Sequence, residues 1–224
     1  MIFALDIETI PNAAMVPFLP EPEISKVLKD PAKIAAARSE AKLEQVSEMA
    51  LDPMTGRVCA CALVGVDGAD DFSSVAVATG TDDECELALL AMIFTAMGRK
   101  DARIVTFNGM FFDIPYLYKR AMILGLPLGE YGTPPLSAWT KRYSTDRHCD
   151  IARVWYGWGP AKKGENLDLV ASMVLKESKM EIDVTTFLEL MKTEEGRNKI
   201  GERCLKDTEL TWRLWKKMEG YLFV

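Results

Sequence analysis

A run of apolar residues that starts at the second position and does not alternate, Ile2-Phe3-Ala4-Leu5, leads directly into two carboxylates, Asp6 and Glu8. Strands with one wet face alternate apolar and polar residues, whereas continuous apolar runs belong to strands covered on both faces. Ile2 to Glu8 therefore reads as a first, largely buried strand. Side chains on a strand alternate faces with period two, so Asp6 and Glu8 point the same way, about 6 to 7 Å apart along the backbone. In that position the two acids can share a ligand.

The remaining elements follow from punctuation and periodicity. A Pro-rich loop leads to a helix over about 31–49, with Asp30 before Pro31 as its start; its mixed charge and many alanines make it peripheral. "RVCACALVGV" (57–66) and "FSSVAVA" (72–78), joined by "DGADD", read as a hairpin. "TDDECELALLAMIFTAMG" has Thr81 and Asp82 as caps, acids in its first turn and Gly98 at its end. "RIVTF" (103–107) is a short strand, "NGMFFD" a turn, and "IPYLYKRAMILG" a helix closed by Gly125. From Leu126 to Trp158 the chain is rich in Pro, Gly and aromatics and reads as a mobile or substrate-contacting loop. "NLDLVASMVL", "VTTFLELM" and "NKIGERCLKDTELTWRLWKKM" complete it as helices. With 224 residues the whole chain, 1–224, reads as one mixed α/β domain, with an insertion at about 12–56 between the first two strands.

Composition narrows the chemistry. A single histidine, His148, set against 33 Asp and Glu leaves few imidazole-based schemes, so any metal here is held by oxygen, which points to Mg²⁺ or Mn²⁺. Five cysteines, odd in number and without a CxxC pair, read as buried thiols in a reducing cytoplasm. The longest apolar run, Leu87 to Met97, is 11 residues, half of what a membrane span needs, and the N-terminus has no signal-peptide pattern; the expected setting is soluble and cytoplasmic, with no membrane partner. The net charge of −6 is uneven. Residues 1–113 hold 9 basic and 18 acidic side chains, whereas residues 114–180 hold 10 and 6, together with five of the six Tyr and three of the five Trp. Basic plus aromatic is the composition of a groove for single-stranded nucleic acid, and equally of a solvated surface over an aromatic-rich core.

Two further acids stand in places that need explaining. On the last helix Ile200, Asp207, Leu210, Thr211, Leu214 and Met218 fall on one stripe, so Asp207 sits mid-stripe on the inward face. A carboxylate there must be paired, hydrogen-bonded or on a metal, and Arg203, one turn back, is the local ion-pair partner. Asp113 follows a strand and the tight Asn108-Gly109 turn and opens a helix, where it serves as an N-cap or as a further ligand. Taken together, Asp6, Glu8, Asp113 and Asp207 suit two divalent ions that act jointly on an in-line displacement at phosphorus.

"FALDIET", "FNGMFFDIPYL" and "CLKDTELTWRL" resemble, in order and chemistry, the three motifs of the DEDD superfamily of 3′→5′ exonucleases. The middle one is especially similar to the proofreading exonuclease of family B DNA polymerases, and the chain looks like the stand-alone, often phage-borne relatives of that domain. The resemblance spans about residues 2–217. It implies an α/β, RNase H-like fold with a five-stranded mixed sheet flanked by helices, in which the hairpin and the first strand pair beside the strand ending at Phe107. It further implies that Asp6 bridges two Mg²⁺ or Mn²⁺ ions, that Glu8 and Asp207 complete one site, and that Asp113 supports the other. Thr9, Asn108 and Phe112 occupy positions that grip the terminal nucleotides. For Phe112, packing in the core explains the residue equally well. The implied substrate is a single-stranded 3′ end, DNA favoured over RNA, cut to 5′-mononucleotides, with replication or recombination proteins as candidate partners. His148 and Asp150 resemble the segment before the third motif, where a structural role is expected, with Asp150 as a cap.

One position departs from the pattern. The family places Tyr four residues before the last Asp, or His five before, to orient the attacking water; here those positions are Arg203 and Glu202. Arg keeps its proton, and Glu202 lies about 100° around the helix from Arg203, away from the stripe. Three readings stay open: the ions activate water unaided; Tyr143 or His148 enters from the aromatic segment; or Arg203 pairs with Asp207 in place of metal, leaving a catalytically weak or inactive nucleic-acid-binding accessory protein.

Overall fold

The computed structural model describes residues 1–25, 27–159 and 166–222. Its centre is a five-stranded mixed sheet in the order β3-β2-β1-β4-β5, the α/β architecture expected of the fold. Strand β1 (Ile2–Pro11) pairs antiparallel with β2 (Gly56–Asp67) and parallel with β4 (Arg103–Thr106). The hairpin partner β3 (Asp70–Val77) and the short β5 (His148–Asp150) form the two edges.

The first strand is buried on both faces because its two sets of side chains serve two cores. Phe3, Leu5 and Ile7 pack with helices α2 (Asp83–Met97) and α3 (Asp113–Leu124). Ala4 faces the opposite side, where it meets α6 (Leu167–Val174) and the long C-terminal helix α8 (Glu194–Leu222). Asp6 and Glu8 have the parity of Ala4 and so lie on the α8 side of the sheet. Their cross-strand partners on β2 are Ala62 and Ala60, small residues that let α8 come close. Gly201 has the same effect on the helix, since a Cβ there would meet Val77 Cγ2 at 2.9 Å. The register between β1 and β2 shifts at Glu8/Thr9, so the strand is irregular where the acids end.

The stripe on α8 is buried as its periodicity predicts: Ile200, Cys204, Asp207, Leu210, Thr211, Leu214 and Met218 all face inward. The apolar run Leu87 to Met97 lies in α2, and among the described residues no helix is long and apolar enough to cross a membrane. Helix α1 (Pro31–Glu48), capped by Asp30, buries none of its residues. Beneath the sheet Arg120 of α3 reaches Glu86 of α2 with two nitrogens, at 2.8 and 2.6 Å, and Glu86 also accepts the Val58 amide of β2. A buried carboxylate is tolerated when both oxygens are paired in this way and a backbone amide adds a further hydrogen bond.

Three expectations need correction. The segment 126–158 is not a loop throughout: it holds α4 (Leu136–Trp139), β5 and α5 (Ile151–Trp155), with Trp139 and Cys149 in the core. The first strand runs on to Pro11, three residues past Glu8. "VTTFLELM" forms a single 3₁₀ turn and α7 (Phe187–Leu190), too few residues for a periodic helix of its own.

Candidate metal centre and cleft

The four acids come from three elements that meet at one end of the sheet. Asp6 and Glu8 stand on β1, Asp113 is the first residue of α3, and Asp207 lies midway along α8. Ligand oxygens of Asp6, Glu8 and Asp207 all lie within 4.8 Å of one another. Asp113 stands outside that trio but lines the same cleft, with Asn108, Phe112, Lys179 and Arg203. It is not an N-cap: its Oδ1 accepts the Ile7 amide of β1 at 3.3 Å, tying α3 to the strand that carries the other acids.

Crowding of carboxylates in a buried site sets their protonation. Asp6 is held well above the usual carboxylate range by burial first, then by the charges of Asp113, Glu8 and Asp207, with Lys179 opposing. Burial pushes Glu8 up to about 7 against the pull of Arg203, and Asp207 adds to the rise. Asp113 also rises to about 7, again chiefly through burial, while the amides of Asp113 and Ile7 pull the other way. Such a cluster is at rest only when protonated or when cations enter it.

Two side chains supply part of that charge. Lys179 Nζ lies 2.7 Å from Asp207 Oδ2, and Arg203 Nη1 lies 3.0 Å from Glu8 Oε2. Arg203 therefore pairs with Glu8 on the neighbouring strand, and not with Asp207 one turn along its own helix; its guanidinium also lies over the Phe187 ring at 5.3 Å. On each of these two acids the second oxygen, Glu8 Oε1 and Asp207 Oδ1, is buried and has no hydrogen-bond partner among the described residues. Orphaned carboxylate oxygens beside Asp6, with no nitrogen or sulfur donor in the trio, fit a hard divalent cation such as Mg²⁺ or Mn²⁺.

Three candidates for orienting water are not brought to the acids. His148 is buried, with Nε2 bonded to Thr106 Oγ1 at 2.8 Å and Nδ1 to the Trp139 carbonyl at 2.6 Å, and burial lowers its pKa. Its position on β5 places it in the sheet. Tyr143 packs its ring on Trp158 at the surface, 5.4 Å between centroids, and lines neither cleft beside the acids. Glu202 is exposed on α8, as its helix angle requires. Thr9 is half-buried at the register shift of β1. Phe112 is half-buried, packed on Tyr116 and the α2/α3 core, and also lines the cleft.

The turn bearing Asn108 is held by a residue of β5. Asp150 is fully buried and accepts the amides of Asn108 and Met110, both at 2.9 Å, and those of Ala152 and Arg153 at the start of α5. It is the cap of α5 and the brace of the turn at once. Asn108 has a left-handed φ of +68°, and Gly109 follows because a Cβ there would stand 2.5 Å from Thr106 Oγ1. The Asn108 side-chain oxygen accepts Arg153 Nη2 at 2.9 Å. Arg153, Asn108, Tyr156, Lys179, Asp6 and Asp207 line a second cleft of about 290 Å³ adjoining the first.

A family model described as a predicted 3′-5′ exonuclease related to the exonuclease domain of PolB matches residues 51–222. The chain belongs to this family. The match carries Asn108, Asp113 and Asp207 and begins after β1, so Asp6 and Glu8 join the site through the structure. Among curated relatives, DNA polymerase 1 of Sulfurisphaera ohwakuensis is 33% identical over 123 residues, 50% of this chain and 14% of the polymerase. DNA polymerase 1 of Sulfolobus acidocaldarius is 30% identical over 138 residues, 58% of this chain and 15% of the polymerase. The chain thus matches about one seventh of the length of these polymerases. The five-stranded mixed sheet with helices on both faces is consistent with the RNase H-like exonuclease domain of this family.

Lys179 and Arg153 are the members of the site that the sequence reading missed. Nothing in "KESKMEID" separates Lys179 from Lys176 three residues earlier. The excess of basic residues in 114–180 was the available signal, and it marks the region, not the residue.

Proposed function

We propose that the chain is a metal-dependent 3′→5′ exonuclease that hydrolyses the terminal phosphodiester of single-stranded nucleic acid, DNA in preference to RNA, to 5′-mononucleotides. The observation that carries this reading is the trio Asp6, Glu8 and Asp207, with two buried carboxylate oxygens left without partners in a chain of an exonuclease family. Asp6, Glu8 and Asp207 would hold one divalent ion, and Asp113, with Asp6, a second. When bound, such ions supply an acidified water and neutralise charge at the phosphorus under attack.

The chain's own residues bind and orient. Asn108 and Phe112 line the cleft in which the terminal nucleotide is read to lie, and Thr9 adjoins it on β1. Lys179, on Asp207, keeps one positive charge at the acids and faces both clefts, where a phosphate would pass. Arg203, a guanidinium, is no base; it contributes charge beside Glu8, at the position where the resemblance to the DEDD exonucleases implies a tyrosine. On this reading the whole chain acts as one exonuclease domain, with α1 as a buttress in the insertion.

A second reading, binding of single strands without cutting, is favoured by one observation: Arg203 and Lys179 already pair with two of the acids. Linear and circular single strands separate the two. With Mg²⁺ or Mn²⁺, 3′-labelled linear DNA is expected to release labelled 5′-mononucleotide first, and circles are expected to stay intact. Binding that persists in EDTA with no digestion of linear strands in either metal supports the second reading, and cutting of circles points to an endonuclease.

A further inference from the structure

We propose that the lip of the cleft carries a base-stacking track for the upstream part of the single strand, made by Phe111 and by the Tyr143–Trp158 pair. The proposal rests on the reading of the cleft as a nucleic-acid site and adds where the nucleotides before the terminal one lie. Phe111 is 66% exposed and Tyr143 67%, although both are large aromatics on a chain with ample core to receive them. Each has a guanidinium over its ring, Arg153 at 4.9 Å from Phe111 and Arg142 at 4.8 Å from Tyr143. A ring backed by a cation and otherwise open to water accepts the π-face of a base.

The two stations are continuous with the cleft and with each other. Arg153 lines the cleft that holds Asp6 and Asp207, bonds Asn108 through Nη2 and the Gly159 carbonyl through Nη1 at 3.1 Å, and so is fixed on both sides. Its own carbonyl accepts the Trp158 amide at 2.7 Å, and the Trp158 carbonyl in turn accepts Arg142 Nη2 at 3.4 Å. Phe111 directly follows the turn that Asp150 holds by the Asn108 and Met110 amides, and its own amide donates to the Asn108 carbonyl at 3.4 Å.

The backbone of this surface is unusual in one respect. Among the described residues five non-glycines have a left-handed φ, and three of them are here: Asn108 at +68°, Tyr143 at +64° and Trp158 at +64°. Bulky residues rarely adopt that conformation, and it persists where surrounding structure holds it. Two aromatics held so, the half-buried Trp158 supporting the exposed Tyr143, make a platform prepared before any strand arrives. A protein partner would call for a contiguous apolar patch; separate rings, each with its own arginine, suit successive bases.

The test is equilibrium binding of 5′-fluorescein-labelled ten-residue oligo-dT by anisotropy in EDTA, where no digestion occurs. Phe111→Ala and Tyr143→Ala are each expected to weaken binding about tenfold, the scale of one stacked base, and the double variant more. Phe111→Trp and Tyr143→Trp are expected to keep wild-type affinity. An abasic ten-mer, which has the phosphates and no rings, is expected to bind all variants equally. Equal affinity of wild type and double variant for oligo-dT overturns the track, as does an equal loss on the abasic strand or no binding by wild type. Failure of the exonuclease reading shows elsewhere, as no digestion with Mg²⁺ by a protein whose binding still depends on the two rings.

Discussion

Without divalent ions the carboxylate cluster opposes folding at neutral pH, and the size of that opposition follows from two groups. Glu8 titrates near 7 in the folded chain against an ordinary 4.5, and Asp113 near 7 against 3.8. Between those limits the unfolded chain has released the proton and the folded chain keeps it, so stability falls as pH rises. At 1.36 kcal/mol per pH unit the loss is about 3 kcal/mol for Glu8 and about 4 kcal/mol for Asp113. Together these come to about 6 to 7 kcal/mol, which for a chain of this size lowers the melting temperature by about 15 to 25 °C between pH 4.5 and pH 7. The assay is thermal unfolding in EDTA across that range, beside Glu8→Gln and Asp113→Asn, whose side chains stay neutral. Each variant should match wild type near pH 4.5, exceed it at pH 8 without metal, and gain less from added Mn²⁺. Parallel profiles for wild type and both variants, or a wild-type melting temperature that rises steadily from pH 4.5 to 8 in EDTA, is incompatible with carboxyls that keep their protons on folding.

Two further changes probe the supports of the site. Arg203→Tyr removes the cation that competes for Glu8 and places a hydroxyl where the resemblance to the DEDD exonucleases implies one, so the Mn²⁺ concentration for half-maximal digestion should fall several-fold and the rate should rise; an unchanged or lower rate means that Arg203 is not a handicap. Asp150→Ala strips the acceptor from four backbone amides in the turn and in α5, which should cost about 3 kcal/mol or more and lower the melting temperature by about 6 to 12 °C. Digestion at temperatures well below the new midpoint should fall too, because Asn108 loses its anchor.

What was legible in the sequence is what repeats locally. The continuous run at Phe3 to Leu5, the stripe from Ile200 to Met218 and the punctuated helix from Asp82 to Gly98 all carry their periods within a few residues, and the structure keeps each. The fifth strand is three residues long, below any period, and its role comes from pairing with β4. His148 looked available as a lone imidazole, yet both its nitrogens are used by Thr106 and Trp139, contacts set by the sheet and by α4. Arg203 shows the limit of helix-local reasoning: four residues from Asp207, it reaches instead to Glu8, 195 positions away, because β1 passes beneath α8. The same distance hides Lys179, whose partner is known only once α8 is in place.

The central claim is that Asp6, Glu8, Asp113 and Asp207 hold ions that cut the 3′ end. Its most direct test is release of 5′-mononucleotide from 3′-labelled single-stranded DNA by wild type and by Asp6→Ala from parallel preparations, with Mg²⁺, with Mn²⁺ and with EDTA. Release is expected from wild type in either metal, none in EDTA, and a loss of several orders of magnitude in Asp6→Ala. Release that is equal in Asp6→Ala, or that persists in EDTA, would contradict it.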